Sequence, residues 1–120
     1  MQQLQMGAVE SRFADIIWEA EPVSTGELVK RCEESLKWKK TTTYTVLKRL
    51  CEKGIFQNDG GIVTSRISRQ EFYALQSEKF VEETFDGSLP AFLAAFITRK
   101  ALTPQEVAQL RRMIEEYKEG

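Results

Sequence analysis

The chain has 120 residues, 42% hydrophobic and 29% charged, with only seven Gly and three Pro; it is too short for two ordinary domains and too apolar to be disordered. Histidine is absent, which removes the commonest general base, the usual partner of a Ser or Cys nucleophile and the commonest zinc ligand, so neither an enzyme nor a metal or cofactor site is expected. The net charge of -1 also argues against a polyanionic partner, but only if charge is spread evenly, and it is not: Lys37, Lys39, Lys40, Lys48, Arg49 and Lys53 face a single acid, Glu52, between residues 37 and 54, a local +5 that leaves -6 for the rest.

No apolar run reaches the ~18 residues of a membrane span, and the polar start "MQQLQMGAVESR" does not have the pattern of a signal peptide, so a cytoplasmic protein without membrane insertion is expected. Cys32 and Cys51 are then expected as reduced, buried thiols.

In chain order, Val9 to Ala20 puts Val9, Phe13, Ile16, Ile17 and Ala20 on one helical face, with Trp18 beside it. After "EPVS", Ser24 and Glu27 form a capping-box pattern that opens a second helix with Leu28, Cys32 and Leu36 inward. Behind "KWKK", Thr41 or Thr42 is expected to cap a third helix. Its inward face is Thr43, Val46, Leu47, Leu50 and Cys51, and it stops at Gly54 in a left-handed conformation. The outward face is Thr42, Tyr44, Thr45, Lys48, Arg49 and Glu52. Ile55 to Asn58 and Ile62 to Ile67 then flank "DGG" as a β-hairpin turning on the Asp-Gly pair. Three helices followed by a hairpin is the order of a winged helix-turn-helix, whose third helix enters the major groove.

The remainder is helical. Ser68 with Glu71 opens a segment carrying Phe72, Leu75, Phe80, Val81 and Phe85; Ser88 with Pro90 opens a second; Thr103, Pro104 and Glu106 open a third. The middle helix, "LPAFLAAFI", has no charge around its circumference, and Leu89, Phe92, Leu93, Phe96 and Ile97 on it need more cover than two short helices supply. Val107, Leu110, Ile114 and Tyr117 repeat at seam-like spacings on the last helix. A homodimer through residues 68–117 meets this need; a bundle against the N-terminal domain is the alternative. The architecture expected is therefore mainly α: a winged-helix domain over residues 1–67 and a three-helix dimerisation domain over 68–120.

With "IIWE" at residues 16–19, "GELV" in the second helix, Trp38, "TTTYTVLKRLCEKGI" from Thr41 to Ile55 and "LTPQEVAQLRRMIEE" near the end, the chain resembles the BlaI/MecI penicillinase-repressor family of bacterial transcription regulators. The resemblance implies a homodimeric repressor on a palindromic double-stranded DNA operator, relieved in several members when a membrane-bound sensor metallopeptidase triggers cleavage in the dimerisation domain. The family's base-reading helix corresponds to Thr41 through Leu50, so Thr42, Tyr44 and Thr45 would face base edges. Lys39, Lys40, Lys48, Arg49 and Lys53 suit phosphates, which position without specifying. Arg49 has the alternative of pairing with an acid of the first helix.

Three departures from the family pattern stand out. The wing tip is "NDGG", where Asp59 repels a phosphate, leaving Arg66 and Arg69 near the wing base. The bond that aligns with the scissile Asn-Phe of cleaved members is Ala95-Phe96. The C-terminal "EEYKEG" has none of the cysteines of the copper-responsive relatives. Because of the acidic remainder and a wing tip without a cation, a winged-helix protein-interaction module that has lost DNA binding is the competing function.

Overall fold

In the computed structural model, which describes residues 6–117, the elements run α1 (Ala8–Ala20), β1 (Val23–Ser24), α2 (Thr25–Leu36), α3 (Lys40–Glu52), β2 (Phe56–Asp59), β3 (Ile62–Ser65), α4 (Arg69–Phe85), α5 (Leu89–Arg99) and α6 (Pro104–Glu116). They pack as two units that divide between Ser77 and Glu78, inside α4.

The first unit is a winged helix. Phe13, Ala14 and Ile17 of α1, Leu28 and Cys32 of α2, and Val46, Leu47 and Leu50 of α3 meet Ile55, Phe56 and Val63 in one core, which Phe72 from the start of α4 closes. Val9, expected inward, is 52% exposed: it lies in the first turn, ahead of the stretch that faces the core, and Ala14 takes an inward place instead. Trp38 stacks on Phe13 at 5.4 Å.

The sheet has three strands, in the order β1-β3-β2, all antiparallel. Only the hairpin is legible as β-structure in the sequence; β1 is two residues long, Val23 and Ser24, recruited by pairing with Val63 and Ile62. The turn is also shifted from expectation. Asp59 still pairs with Ile62, so the two loop residues are Gly60 and Gly61, at φ 61° and 92°. Both central residues of such a primed turn need positive φ, which the Gly-Gly pair supplies without strain.

Helix α2 starts as expected, with Ser24 Oγ accepting from the Glu27 N–H at 3.1 Å. Helix α3 does not. Its N-cap is Lys39, so Thr41 and Thr42 stand inside the first turn and not at the cap; Lys39 leaves its extended conformation directly into helix, and its carbonyl accepts from the Thr43 N–H. At the other end Gly54, at φ 83°, completes a Schellman motif in which the Ile55 N–H reaches the Leu50 carbonyl and the Gly54 N–H the Cys51 carbonyl.

In the second unit Ser88 caps α5 through the Ala91 N–H, and Thr103 and Glu106 form a reciprocal capping box at α6. Phe80, Phe85 and Phe92 meet edge to face, with centroids 5.6–6.0 Å apart. Within the chain no residue of α5 or α6 is buried. No helix among the described residues is long and apolar enough to cross a membrane.

Candidate nucleic-acid interface

Helix α3 is positioned by its inner row. Thr43, Val46, Leu47 and Leu50 are buried, and the Thr43 hydroxyl, donating to the Lys39 carbonyl at 3.3 Å, enters the core already satisfied. This fixes the helix rotation and turns Thr41, Thr42, Tyr44, Thr45, Lys48 and Arg49 to the outside, with Lys39 and Lys40 at the N-terminal end. Two lysines there oppose the helix dipole, whose positive end favours anions, and no acid offsets them in the first turn. Positive charge so placed weakens the isolated helix and strengthens its attraction for an external anion.

The polar groups on this face differ in what they still offer. The Thr45 hydroxyl donates to the Thr41 carbonyl at 2.9 Å, so its proton is committed and the exposed side chain presents a methyl group and an acceptor oxygen. Lys40 Nζ lies 6.0 Å from the centre of the Tyr44 ring one turn on, a cation–π arrangement that gathers the two side chains on one side of the helix.

Arg49 is engaged. Its Nη1 pairs with Glu10 Oε2 of α1 at 3.1 Å, the alternative role its sequence context left open. The other oxygen of Glu10 accepts from the Gly7 N–H at 3.2 Å. Burial raises the Glu10 carboxyl pKa, but the Gly7 N–H, Arg49 and the charge of Lys53 together outweigh that and hold it below the ordinary value. Glu10 was not a residue the sequence singled out; its signal was its place three residues into a helix, where a carboxylate suits free N–H groups.

Arg66 lies just beyond β3, at the wing base, where its N–H donates to the Ile55 carbonyl and its side chain is exposed. Arg69, also a wing-base cation, pairs with Asp15 of α1 at 3.2 Å. The wing tip carries Asp59, and the Asn58 side chain there accepts from the Gly61 N–H at 3.0 Å. Cys32 is buried and Cys51 half-buried, both free, and burial pushes both thiols up.

In the second unit Phe92, Leu93, Phe96 and Leu110 line an open apolar groove of about 550 Å³ with Leu102 and Met113, and Glu106, Gln109 and Arg112 at its polar margin. Leu89, Ile97, Val107, Ile114 and Tyr117 are exposed in the single chain, Ile114 by 73%. Ala95 and Phe96 sit inside α5, where the Ala95 carbonyl accepts from the Thr98 hydroxyl at 2.7 Å.

The family model of the penicillinase repressor matches residues 6–116. The chain belongs to that family. It is 25% identical over 118 residues to the penicillinase repressor of Bacillus licheniformis, covering 95% of this chain and 92% of that one. To the methicillin resistance regulatory protein MecI of Staphylococcus aureus it is 21% identical over 114 residues, 92% of this chain and 93% of that one. The solution structure of the monomeric form of Bacillus licheniformis BlaI in complex with the blaP half-operator resembles it with a TM-score of 0.50 and 25% identity, over 59% of this chain and 93% of that one. The penicillinase-repressor match, from residue 6 to residue 116, takes in both units and so includes α3, α5 and α6.

Proposed function

We propose that this penicillinase-repressor family member is a DNA-binding transcriptional repressor that acts as a homodimer on a palindromic operator, with α3 in the major groove. The observation that carries it is the division of α3 into a buried row and an exposed row of hydroxyls and cations, in a chain otherwise acidic. Thr42, Tyr44 and Thr45 read base edges, and Thr41 lies beside them at the start of the DNA-binding face. Lys39, Lys40, Lys48 and Lys53, with Arg66 from the wing base, neutralise phosphates, and Arg49 is a further cation placed to meet one.

Residues 1–67 serve DNA and residues 68–120 the dimer. The second copy covers Leu89, Phe92, Leu93, Phe96 and Ile97 of α5 and Val107, Leu110, Ile114 and Tyr117 at α6, which no single chain buries. Two half-site contacts joined in this way bind far more tightly than one, so whatever parts the helices releases the operator. A membrane-bound sensor metallopeptidase that cuts the second unit is one such route. The Ala95-Phe96 bond must leave its helix before an extended peptide can enter a protease site.

Selection of duplexes from random DNA tests this reading. A palindrome should emerge, with half-sites about one helical turn or a multiple apart. Binding to it should weaken with salt by about 0.9 log unit per log unit for each phosphate neutralised, and Lys48→Ala should lower that slope by about one such step. Salt-insensitive binding, or no selected sequence, would overturn it.

A further inference from the structure

We propose that Glu10 is an internal counter-ion that occupies the place of a DNA phosphate on Arg49, and so sets how strongly the recognition helix grips the backbone. The inference rests on the DNA-binding reading above.

Arg49 lies one helical turn beyond Thr45 on the outward side of α3, with its side chain 53% exposed, yet one of its N–H groups is held by the Glu10 carboxylate at 3.1 Å. Glu10 does not wander to find it: its second oxygen is tied to the Gly7 N–H in the first turn of α1, and its own side chain is only 18% exposed. A guanidinium has five donors, and carboxylate and phosphate oxygens compete for them with the same forked geometry. The contact by Nη1 alone leaves the outer edge of Arg49 able to meet a phosphate. The closer that phosphate binds, the more of the Glu10 interaction is exchanged.

The exchange is feasible because Glu10 is not abandoned by it: the Gly7 N–H remains, and the charge of Lys53 already acts on the carboxylate. An Arg–Glu pair brings no net charge to the duplex, so in the wild type Arg49 displaces few counter-ions. Removing the charge of Glu10 should release the full contribution of Arg49, and equally on any sequence, since phosphate contacts carry no base information.

The test is a cycle of Glu10→Gln and Arg49→Gln in the full-length chain, with titrations from 50 to 200 mM salt on the selected operator and on a random duplex. Glu10→Gln keeps an oxygen for the Gly7 N–H. The expected results are a salt slope steeper by about 0.9, tighter binding by the same factor on both duplexes, and a larger loss from Arg49→Gln in the Glu10→Gln background than in the wild type. Equal losses in both backgrounds, or an unchanged or weakened Glu10→Gln variant that circular dichroism shows to be fully folded at the titration temperature, would overturn the counter-ion role while leaving DNA binding intact. A wild-type chain with no salt-dependent binding to either duplex would overturn both.

Discussion

The indole N–H of Trp18 donates to the carbonyl of Ile67 at 3.1 Å, across 49 positions of sequence, and so ties α1 to the segment where the wing ends and α4 begins. The same ring packs on Phe56 at 5.3 Å and on Phe72 at 5.8 Å. Trp18 thus joins the sheet, the first helix and the first turn of α4 in one cluster. Trp18→Phe should keep most of the packing but orphan the Ile67 carbonyl, at a cost of about 1–3 kcal/mol. Trp18→Ala should cost about 3–5 kcal/mol. Urea unfolding followed by circular dichroism checks both, with the slope of the transition unchanged.

The wing turn carries a sharper asymmetry. Gly60, at φ 61°, occupies the left-handed region that Asn tolerates, whereas Gly61, at φ 92°, lies farther out. Gly60→Asn should therefore be close to neutral, and Gly61→Val should destabilise by about 2 kcal/mol or more. Comparing the two urea midpoints reads the difference. Equal losses would mean that the turn relaxes into another type.

Most of the α3 frame is legible in the sequence. A residue that alternates between core and solvent at helical spacing leaves a periodic trace, and Thr43, Val46, Leu47 and Leu50 are buried as that trace implies. Gly54 stops the helix because few other residues adopt its conformation cheaply. Interactions between distant segments leave no such trace. Strand β1 is two residues long and exists because Val63 and Ile62 pair with it. Glu21, which accepts from both the N–H and the hydroxyl of Ser65, looks in the sequence like any acid at a helix end. Lys39 at the cap of α3, where a threonine was expected, is a case of tertiary placement overriding a local preference of about 1 kcal/mol.

Glu10 predicts an acid dependence of stability. Its folded pKa lies below the ordinary value of 4.5, because the Gly7 N–H, Arg49 and Lys53 together outweigh the opposing effect of burial. A carboxyl depressed on folding contributes stability that is fully present above its unfolded pKa and is lost as pH falls through the folded one. Glu10→Gln should remove that part of the dependence, so wild type and variant should converge in urea midpoint as pH is lowered below 4.5. A difference that stays constant from neutral to acid pH would assign the effect to packing.

Thr45 predicts which base chemistry is read. With its proton given to the Thr41 carbonyl, it is placed to accept from adenine N6 or cytosine N4 and to touch a thymine methyl, whereas donating to purine N7 would break that bond. Thr45→Val should keep binding to the selected operator within a few-fold if the methyl contact dominates, while Thr45→Ser should weaken it. Replacing thymine by uracil at the contacted position should weaken the wild type and leave Thr45→Ser unaffected. Loss of binding in the valine variant alone would assign the contact to the oxygen.

The dimer is tested most directly at Phe96. Its ring is 45% exposed in the single chain, next to Phe92 in the aromatic row of the second unit and on the wall of the apolar groove. An Asp there can stay hydrated in a monomer, so Phe96→Asp need not unfold the chain; in a dimer that covers α5 the same charge loses its water and has no cation given to it. The variant should sediment as a monomer with native helical content. Its operator affinity should fall toward that of one half-site, because the second contact is no longer supplied at high effective concentration. Helix α3 is untouched, so its salt slope per bound chain should stay the same. A Phe96→Asp chain that still sediments as a dimer would place the interface elsewhere on α4 to α6.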